Sequence, residues 1–285
     1  MEKACFRVSQ LCRALDVARS GFYAWCRRPE SAHRQRDRRL KVLVRASFEA
    51  SKQRYGSPRI HEDLIEQQEA VSRKRVIRLM QEEGLKARVR KRFVCTTMSD
   101  HDQPVAGNLL DRQFTADAAD QRWVGDTTEF VIGESGKLYL AAILDLFSRF
   151  VVGWAVSAVN DRHLTIRALE MALKRRCPEE GLLHHSDQGC TYASEDYQTI
   201  LDVRGITCSM SRRGDCYDNA VMEAFFSSVK SELADRFDSC GVAKVELFEY
   251  IEVFYNQRRR HSTIGQISPA AYEQRARAAA AVSAR

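Results

Sequence analysis

Trp123-Val-Gly-Asp-Thr-Thr-Glu-Phe-Val-Ile132 is dense in β-branched and aromatic residues, and Gly133-Glu-Ser-Gly136 closes it, which spells a strand followed by a turn. Two further β-rich runs follow, Leu138–Leu146 and Phe150–Ala158, with Ser148-Arg149 between them, so the three read as a meander. The pattern then changes. Leu164–Arg176 has the helical period, with Ile166, Leu169, Ala172 and Leu173 facing in. Leu182–His185 reads as a short buried strand, Glu195–Val203 as a helix and Ile206–Met210 as a last strand. Helices are expected over Asn219–Ala234 and Val242–Asn256. Antiparallel strands followed by strand–helix alternation predict an α/β fold with a mixed five-stranded sheet flanked by helices.

Upstream of this block the periodicity is helical throughout. Two short helices around Asp16-Val-Ala18 span Val8–Trp25, the size of a helix-turn-helix. Arg38–Lys52 is amphipathic, with Leu40, Leu43, Val44 and Phe48 on one stripe. Ser57 is the expected N-cap of a helix with Pro58 in its first turn, and Ser72 that of a helix over Arg73–Glu83 stopped by Gly84. In this last helix Val76, Leu79 and Met80 face inward, and Arg73, Lys74, Arg75 and Arg78 are the candidate DNA contacts. A small helical bundle with basic solvent faces would show the same pattern. The expected organisation is a helical DNA-binding region over 1–93, a linker over 94–120, a catalytic core over 121–236 and a helical extension over 237–285.

Charge divides along the same line. Residues 1–100 hold 24 Lys/Arg against 12 Asp/Glu, +12, whereas 101–285 hold 21 against 26, −5. The basic third reads as an electrostatic footprint for nucleic acid. The nine cysteines are irregularly spaced, form no C-x-x-C, and find no H-x₃₋₅-H to complete a zinc site, so reduced and mostly buried thiols are expected. Neither a signal peptide nor an apolar run long enough for a membrane span is visible, which predicts a cytoplasmic protein with no membrane partner.

Three carboxylates carry the chemistry. Asp126 sits mid-strand among apolar residues, where an acid is costly to bury unless it is paired or metal-bound. Asp187 falls at the carboxyl end of a buried strand, where open α/β sheets place ligands. Glu223 lies in the first turns of a helix, thirty-five residues beyond Asp187. Each alone has an ordinary alternative: a strand-edge acid capped by hydroxyls, a turn Asp, a solvated helix-start Glu. Together they are a set of hard oxygen donors suited to Mg²⁺. Lys230 follows Glu223 by seven residues, two helical turns, so both share a face; a substrate phosphate or a simple charge pair would account for it.

These strings resemble the integrase-core transposases of the IS3 insertion-sequence family, relatives of retroviral integrases. The resemblance rests on Trp123–Phe130, Tyr139-Leu-Ala-Ala-Ile-Leu-Asp-Leu-Phe-Ser-Arg149, His185-Ser-Asp-Gln-Gly189, Ser209-Met-Ser-Arg-Arg-Gly-Asp-Cys-Tyr-Asp-Asn-Ala220, Glu223-Ala-Phe-Phe-Ser-Ser-Val-Lys-Ser-Glu232, Tyr255-Asn-Gln-Arg-Arg-Arg-His-Ser262 and Ser268-Pro-Ala-Ala-Tyr272. It implies an RNase H-like fold and a D, D(35)E triad on Asp126, Asp187 and Glu223, with Lys230 at the family's substrate-binding lysine. It also implies two divalent ions per site, Mg²⁺ or Mn²⁺, roughly 3.5–4 Å apart. The implied reaction is cleavage at element ends and joining of the freed 3′-hydroxyl to another strand, in a bacterial, nucleoid-associated setting. Transposon ends, target DNA and further copies of the chain are the implied partners. Asp145 and Arg149 match the family too, and Asp145 reads as sheet-end structure; Asp218-Asn219 are expected to cap the Glu223 helix.

Two departures stand out: Cys190-Thr191 replace the Ser-Gln common after Gly189, and Arg260 replaces a frequent Pro before His261-Ser262. No heptad run of useful length appears, so the chain reads as a downstream-frame product with an upstream-frame helix-turn-helix protein as possible partner. A DNA-binding regulator or transposase relic, and a structure-selective RNase H-like nuclease, are the competing classes.

Overall fold

The computed structural model describes residues 6–88, 105–212 and 216–283. Residues 89–104, which include most of the basic run at 86–92 and the start of the expected linker, lie outside the described residues. The chain forms two compact units, Met1–Lys86 and Ala87–Arg285.

Within the second unit, β1 (Arg122–Ile132) is the spine. Trp123, Val124 and Phe130 are fully buried along it. Gly133 takes a positive φ of 56° and turns the chain into β2 (Gly136–Asp145). The two strands pair antiparallel without interruption from Trp123↔Asp145 to Ile132↔Gly136. β3 (Val151–Ser157) completes the meander. Gly153 lets the next helix lie directly on that strand: a Cβ there would stand 2.2 Å from the Ala168 carbonyl oxygen. That helix, α6 (Arg162–Arg176), begins where the Asp161 carboxylate accepts from the Leu164 N–H and ends on Lys174-Arg175-Arg176, whose charge suits a helix C-terminus.

β4 (Leu183–Ser186), α7 (Glu195–Val203) and β5 (Thr207–Met210) add two parallel strands, giving the order β3-β2-β1-β4-β5. The mixed sheet flanked by helices is the expected fold, with one addition. After α8 (Ala220–Glu232), a two-residue strand β6 (Arg236–Phe237) pairs parallel with Val131 and Ile132. Because β2 occupies one edge of β1 throughout, β4 and β6 share the other: β4 pairs at 122–124 and β6 at 131–132. Between them the edge of β1 pairs with no strand among the described residues, and Asp126 sits in that gap.

Beyond β6 the expected continuous helix is two elements. α9 (Cys240–Phe248) passes into a π-helical segment, Glu249–Tyr255. Tyr250, Ile251, Phe254 and Tyr255 of this segment are all buried. Asn256 then pairs with Val151 through both side-chain amide atoms, at 2.9 and 3.2 Å. α10 (Pro269–Ser283) is tied to the sheet by Glu273, which accepts from Ser148 Oγ at 2.7 Å and from Arg176.

The described part of the expected linker is not extended chain. Within 105–120, Leu110 is buried, the Leu109 and Leu110 N–H groups donate to Ser209 Oγ, and Asp120 N–H donates to Asp145. Asp145 also accepts from the Phe147 and Ser148 N–H groups, the role of a sheet-end cap.

In the first unit, α1 (Val8–Ala14) and α2 (Arg19–Arg27) precede three packed helices: α3 (Ala32–Ala50), α4 (Ser57–Glu66) and α5 (Arg73–Glu82). Leu40, Val44, Ile60, Leu64, Val76 and Leu79 form their core, each with no exposed surface. Ser72 caps α5 by accepting from the Arg75 N–H at 3.3 Å, as expected. Gly56, not Ser57, occupies the cap position of α4, which puts Ser57 and Pro58 inside the first turn.

Candidate active site

Asp126 is placed by the strand that carries it. It faces Ala142 across the β1–β2 ladder, and its Oδ1 accepts from the Thr127 N–H at 2.7 Å. The residue is half-buried. Burial first, then the charge of Asp187, then that of Glu223 push its pKa well above the usual carboxylate value; the Thr127 N–H opposes them. Gly125 beside it leaves room for its neighbour: a Cβ there would stand 3.0 Å from His184 Cε1, a tight contact. His184 is buried against β1, bonded through Nε2 to the Tyr197 hydroxyl at 2.7 Å, and burial lowers its pKa to about 3, so it is a neutral part of the floor.

Asp187 directly follows β4. Its Oδ1 accepts from the Gly189 N–H at 3.0 Å, and a Cβ on residue 189 would stand 2.9 Å from that same oxygen. The Ser-Asp-Gln-Gly string is thus a turn built for close approach of a carboxylate to backbone. His185, preceding it, bonds Ser209 Oγ at 2.9 Å and Ser211 Oγ at 3.2 Å, and burial holds it neutral with a pKa of about 4.

Glu223 is exposed in the first turn of α8. Two anchors position that helix. At its start, Asn219 donates through Nδ2 to the Gly125 carbonyl at 3.3 Å. Near its end, buried Glu232 accepts from Arg259 at 2.8 and 2.7 Å and from the Tyr250 hydroxyl at 2.8 Å. Lys230 lies with Nζ 5.6 Å from the centroid of the buried Phe130 ring; burial lowers its pKa, against the charges of Glu129 and Asp235.

The acids therefore gather near enough for Asp187 and Glu223 to act on Asp126. As placed, however, no three His, Cys, Asp or Glu side chains among the described residues close into a metal cage. The fit to a divalent cation is one of chemistry: three carboxylates, two of them near enough to raise the pKa of the third, are a hard-oxygen donor set whose repulsion a cation relieves.

The expected cap at Asp218-Asn219 is corrected. Asn219 stands at the N-cap of α8 but makes no side-chain cap bond. Asp218 is fully buried and accepts from Asn108 at 2.8 Å, from Arg112 at 3.0 Å, and from the Arg212 N–H at 2.9 Å and guanidinium at 3.0 Å. The hydrogen bonds from Arg212 lead, burial opposes, and with Arg112 they hold this carboxyl well below its usual range.

The basic candidates on α5 divide. Arg73 and Lys74 are exposed. Arg75 Nε and Arg78 Nη2 each donate to Asp37 on α3 at 2.8 Å, and Arg78 also reaches Glu82 at 2.6 Å. Burial raises the Asp37 carboxyl, and the bonds from Arg78 and Arg75 outweigh it, leaving its pKa lowered.

Sequence comparison places these elements. Residues 116–216 match the family described as Integrase core domain, residues 204–269 match a second family of the same description, and 35–93 match HTH-like domain. The fold and these matches define a polynucleotidyl transferase of the transposase/integrase class, acting on DNA. The chain is 40% identical over 275 residues to the transposase InsF for insertion sequence IS3A of Escherichia coli strain K12, covering 95% of each. It is also 40% identical to an uncharacterized 31 kDa protein of insertion element IS600 from Shigella sonnei, covering 93% of this chain and 98% of that one. The chain belongs to the IS3 family of insertion-sequence transposases. Among solved structures, the HTLV-2 integrase catalytic core domain in complex with magnesium is similar at TM-score 0.40 and 16% identity, over 53% of this chain and 95% of that one. A simian T-cell lymphotropic virus intasome chain is similar at TM-score 0.46 and 13% identity, over 77% and 70%. No described helix is long and apolar enough to cross a membrane.

Proposed function

We propose that Asp126, Asp187 and Glu223 are the catalytic carboxylates of a DDE transposase and would hold two divalent cations, Mg²⁺ or Mn²⁺, while the enzyme cleaves insertion-sequence ends and joins them to another strand. The observation that carries this reading is the placement of the three acids: Asp126 on the stretch of β1 between the β4 and β6 pairings, Asp187 directly after β4, and Glu223 in the first turn of α8, near enough that both other acids raise the Asp126 carboxyl. When bound, such ions supply Lewis-acid activation of the attacking oxygen and stabilisation of the leaving one. Asp126 contributes an oxygen fixed by the sheet, Asp187 one fixed by the Gly189 N–H, and Glu223 one on an exposed helical turn. Lys230, two turns along α8 or about 10 Å from Glu223 along the axis, meets a substrate phosphate with its charge. The reaction is an in-line displacement. Water, and then a DNA 3′-hydroxyl, forms a new P–O bond as the bond to the departing 3′-oxygen breaks, with no covalent enzyme intermediate.

Residues 1–93 serve as the DNA-binding region, 94–120 join it to a core over 121–236, and 237–285 brace that core. On α5, Arg73 and Lys74 contact phosphates directly. Arg75 and Arg78 add charge and set the pose of the helix through Asp37. Two element ends held at once call for more than one copy on DNA, and an upstream-frame helix-turn-helix protein is a further partner.

Strand transfer with Mg²⁺ or Mn²⁺ on DNA carrying the element's ends tests the reading. The wild type joins ends and Asp187→Ala does not; wild-type activity in that variant would remove the assignment.

A further inference from the structure

α8 has two polar faces. At about 100° per residue, Glu223 and Lys230 lie within about 20° of one another, whereas Ser228 and Glu232 lie about 140° and about 180° from Glu223, on the opposite side. That rear face meets Arg259, in the chain that follows the π-helical turns. Arg259 is buried. Its Nε and Nη2 donate to the Glu232 carboxylate at 2.8 and 2.7 Å, Nη2 also donates to Ser228 Oγ at 3.0 Å, and Nη1 lies 3.1 Å from His261 Nε2. The Tyr250 hydroxyl donates to the same carboxylate at 2.8 Å, and the guanidinium carbon stands 5.3 Å from the centroid of the Tyr255 ring.

The segment that bears Arg259 is itself fixed to the sheet. Just upstream, Asn256 pairs with Val151 of β3 through both side-chain amide atoms, and just downstream His261 bridges to Ile267. β3, β2 and β1 are consecutive strands, so the same sheet carries Asp126. Arg259 therefore ties the frame that holds Asp126 to the helix that presents Glu223. Burial of Met222, Phe225, Phe226 and Val229 attaches α8 to the core, but that attraction has no direction. A guanidinium fork on a carboxylate does have one, and it fixes the rotation of the helix about its axis. Stability alone does not call for such a pair, because apolar residues of similar volume often replace a buried ion pair without loss.

We infer that Arg259 is a positioning residue of the transfer site: by gripping Glu232 and Ser228 from behind, it sets the rotation of α8 that aims Glu223 and Lys230 at the reacting phosphate. The inference rests on the proposed triad. It makes the C-terminal extension part of the catalytic apparatus through one side chain.

Strand transfer by the full chain with Mn²⁺, on DNA carrying the element's ends, tests it in four proteins: wild type, Asp187→Ala, Arg259→Lys, and the apolar variant that combines Glu232→Leu, Tyr250→Phe and Arg259→Met. The apolar variant should melt close to the wild type and bind the DNA equally, while its rate at saturating DNA falls about tenfold to a hundredfold with KM little changed. Arg259→Lys keeps the charge and loses the fork, so it should fold and lose a smaller part of the rate in the same way. A wild-type rate in the folded apolar variant, or in Arg259→Lys where the apolar variant does not fold, overturns the role of Arg259; with Asp187→Ala inactive, it leaves the triad standing. Transfer retained in Asp187→Ala overturns the triad and this inference with it. If neither Arg259 variant folds, the network serves stability and the inference falls.

Discussion

Asp126, half-buried, and Asp218, fully buried, are two aspartates of one unit, joined by a single hydrogen bond between their neighbours, Asn219 to Gly125. Their electrostatic states are opposite. Asp218 is gripped by Arg212 and Arg112, and its carboxyl lies well below the usual range. Asp126 is acted on by Asp187 and Glu223, and its carboxyl lies well above. An acid with its cations built into the fold is finished and serves the structure. An acid whose charged neighbours are other acids is stable as an anion only when a cation arrives from outside. Asp37 in the helical unit, between Arg75 and Arg78, belongs with Asp218.

Substitutions at the two positions should therefore separate activity from stability. The largest effect is expected for Asp126→Asn. Strand transfer should fall by at least about a thousandfold, ~4 kcal/mol in transition-state free energy. Asp218→Asn should act on the fold. It leaves the Arg212 and Arg112 donors facing a neutral amide, and because both guanidiniums are about half exposed we expect a loss of about 1–3 kcal/mol in chemical denaturation. Equal loss of stability in both variants would break the comparison.

The pH dependence has opposite sign at the two sites. The folded-state pKa of Asp218 is below the usual 3.8, so its stabilisation is fully present above about pH 4 and is lost as pH falls further. The folded-state pKa of Asp126 is raised, so without metal its ionisation costs stability at neutral pH, and that cost is relieved as pH falls. Melting curves of Asp218→Asn should consequently converge on the wild type in acid. Those of metal-free Asp126→Asn should lie at or above the wild type near neutrality.

Gly189→Ala sharpens the same contrast within the site. Its Cβ would press on Asp187 Oδ1, so activity should fall about tenfold or more while the melting temperature changes little. The smallest effects belong to the helical unit. Arg73→Ala and Lys74→Ala should each weaken DNA binding across sequences alike and flatten its logarithmic salt dependence by about one, without altering stability. An unchanged slope would remove those side chains from the phosphate contacts.

Much of this was legible in the sequence because the signals are local. The β-rich run around Asp126, the buried strand before Asp187 and the Ser72 cap each announce themselves within a few residues. The features that escaped it depend on distant partners. Arg112 lies in a stretch that reads as linker, and only the fold brings it to Asp218, 106 residues away. Arg75 and Arg78 read as solvent-facing cations because Asp37 is about forty positions upstream. The two-residue β6 is too short to leave a period, and the π-helical turns at Glu249–Tyr255 bury positions that an α-helical period would bury as well, so the pattern does not tell the two apart.

The most direct measurement is thermal unfolding of the wild type and Asp126→Asn, each with and without saturating Mn²⁺. A cation held by the triad stabilises the folded state by mass action, about 2.7 kcal/mol at a hundredfold excess over its dissociation constant. The wild type should melt several degrees higher with Mn²⁺, and Asp126→Asn should not respond yet should match or exceed the wild type in its absence. An Asp126→Asn protein that is less stable than the wild type without metal, and that gains as much from Mn²⁺, would contradict the assignment of Asp126 to the metal site.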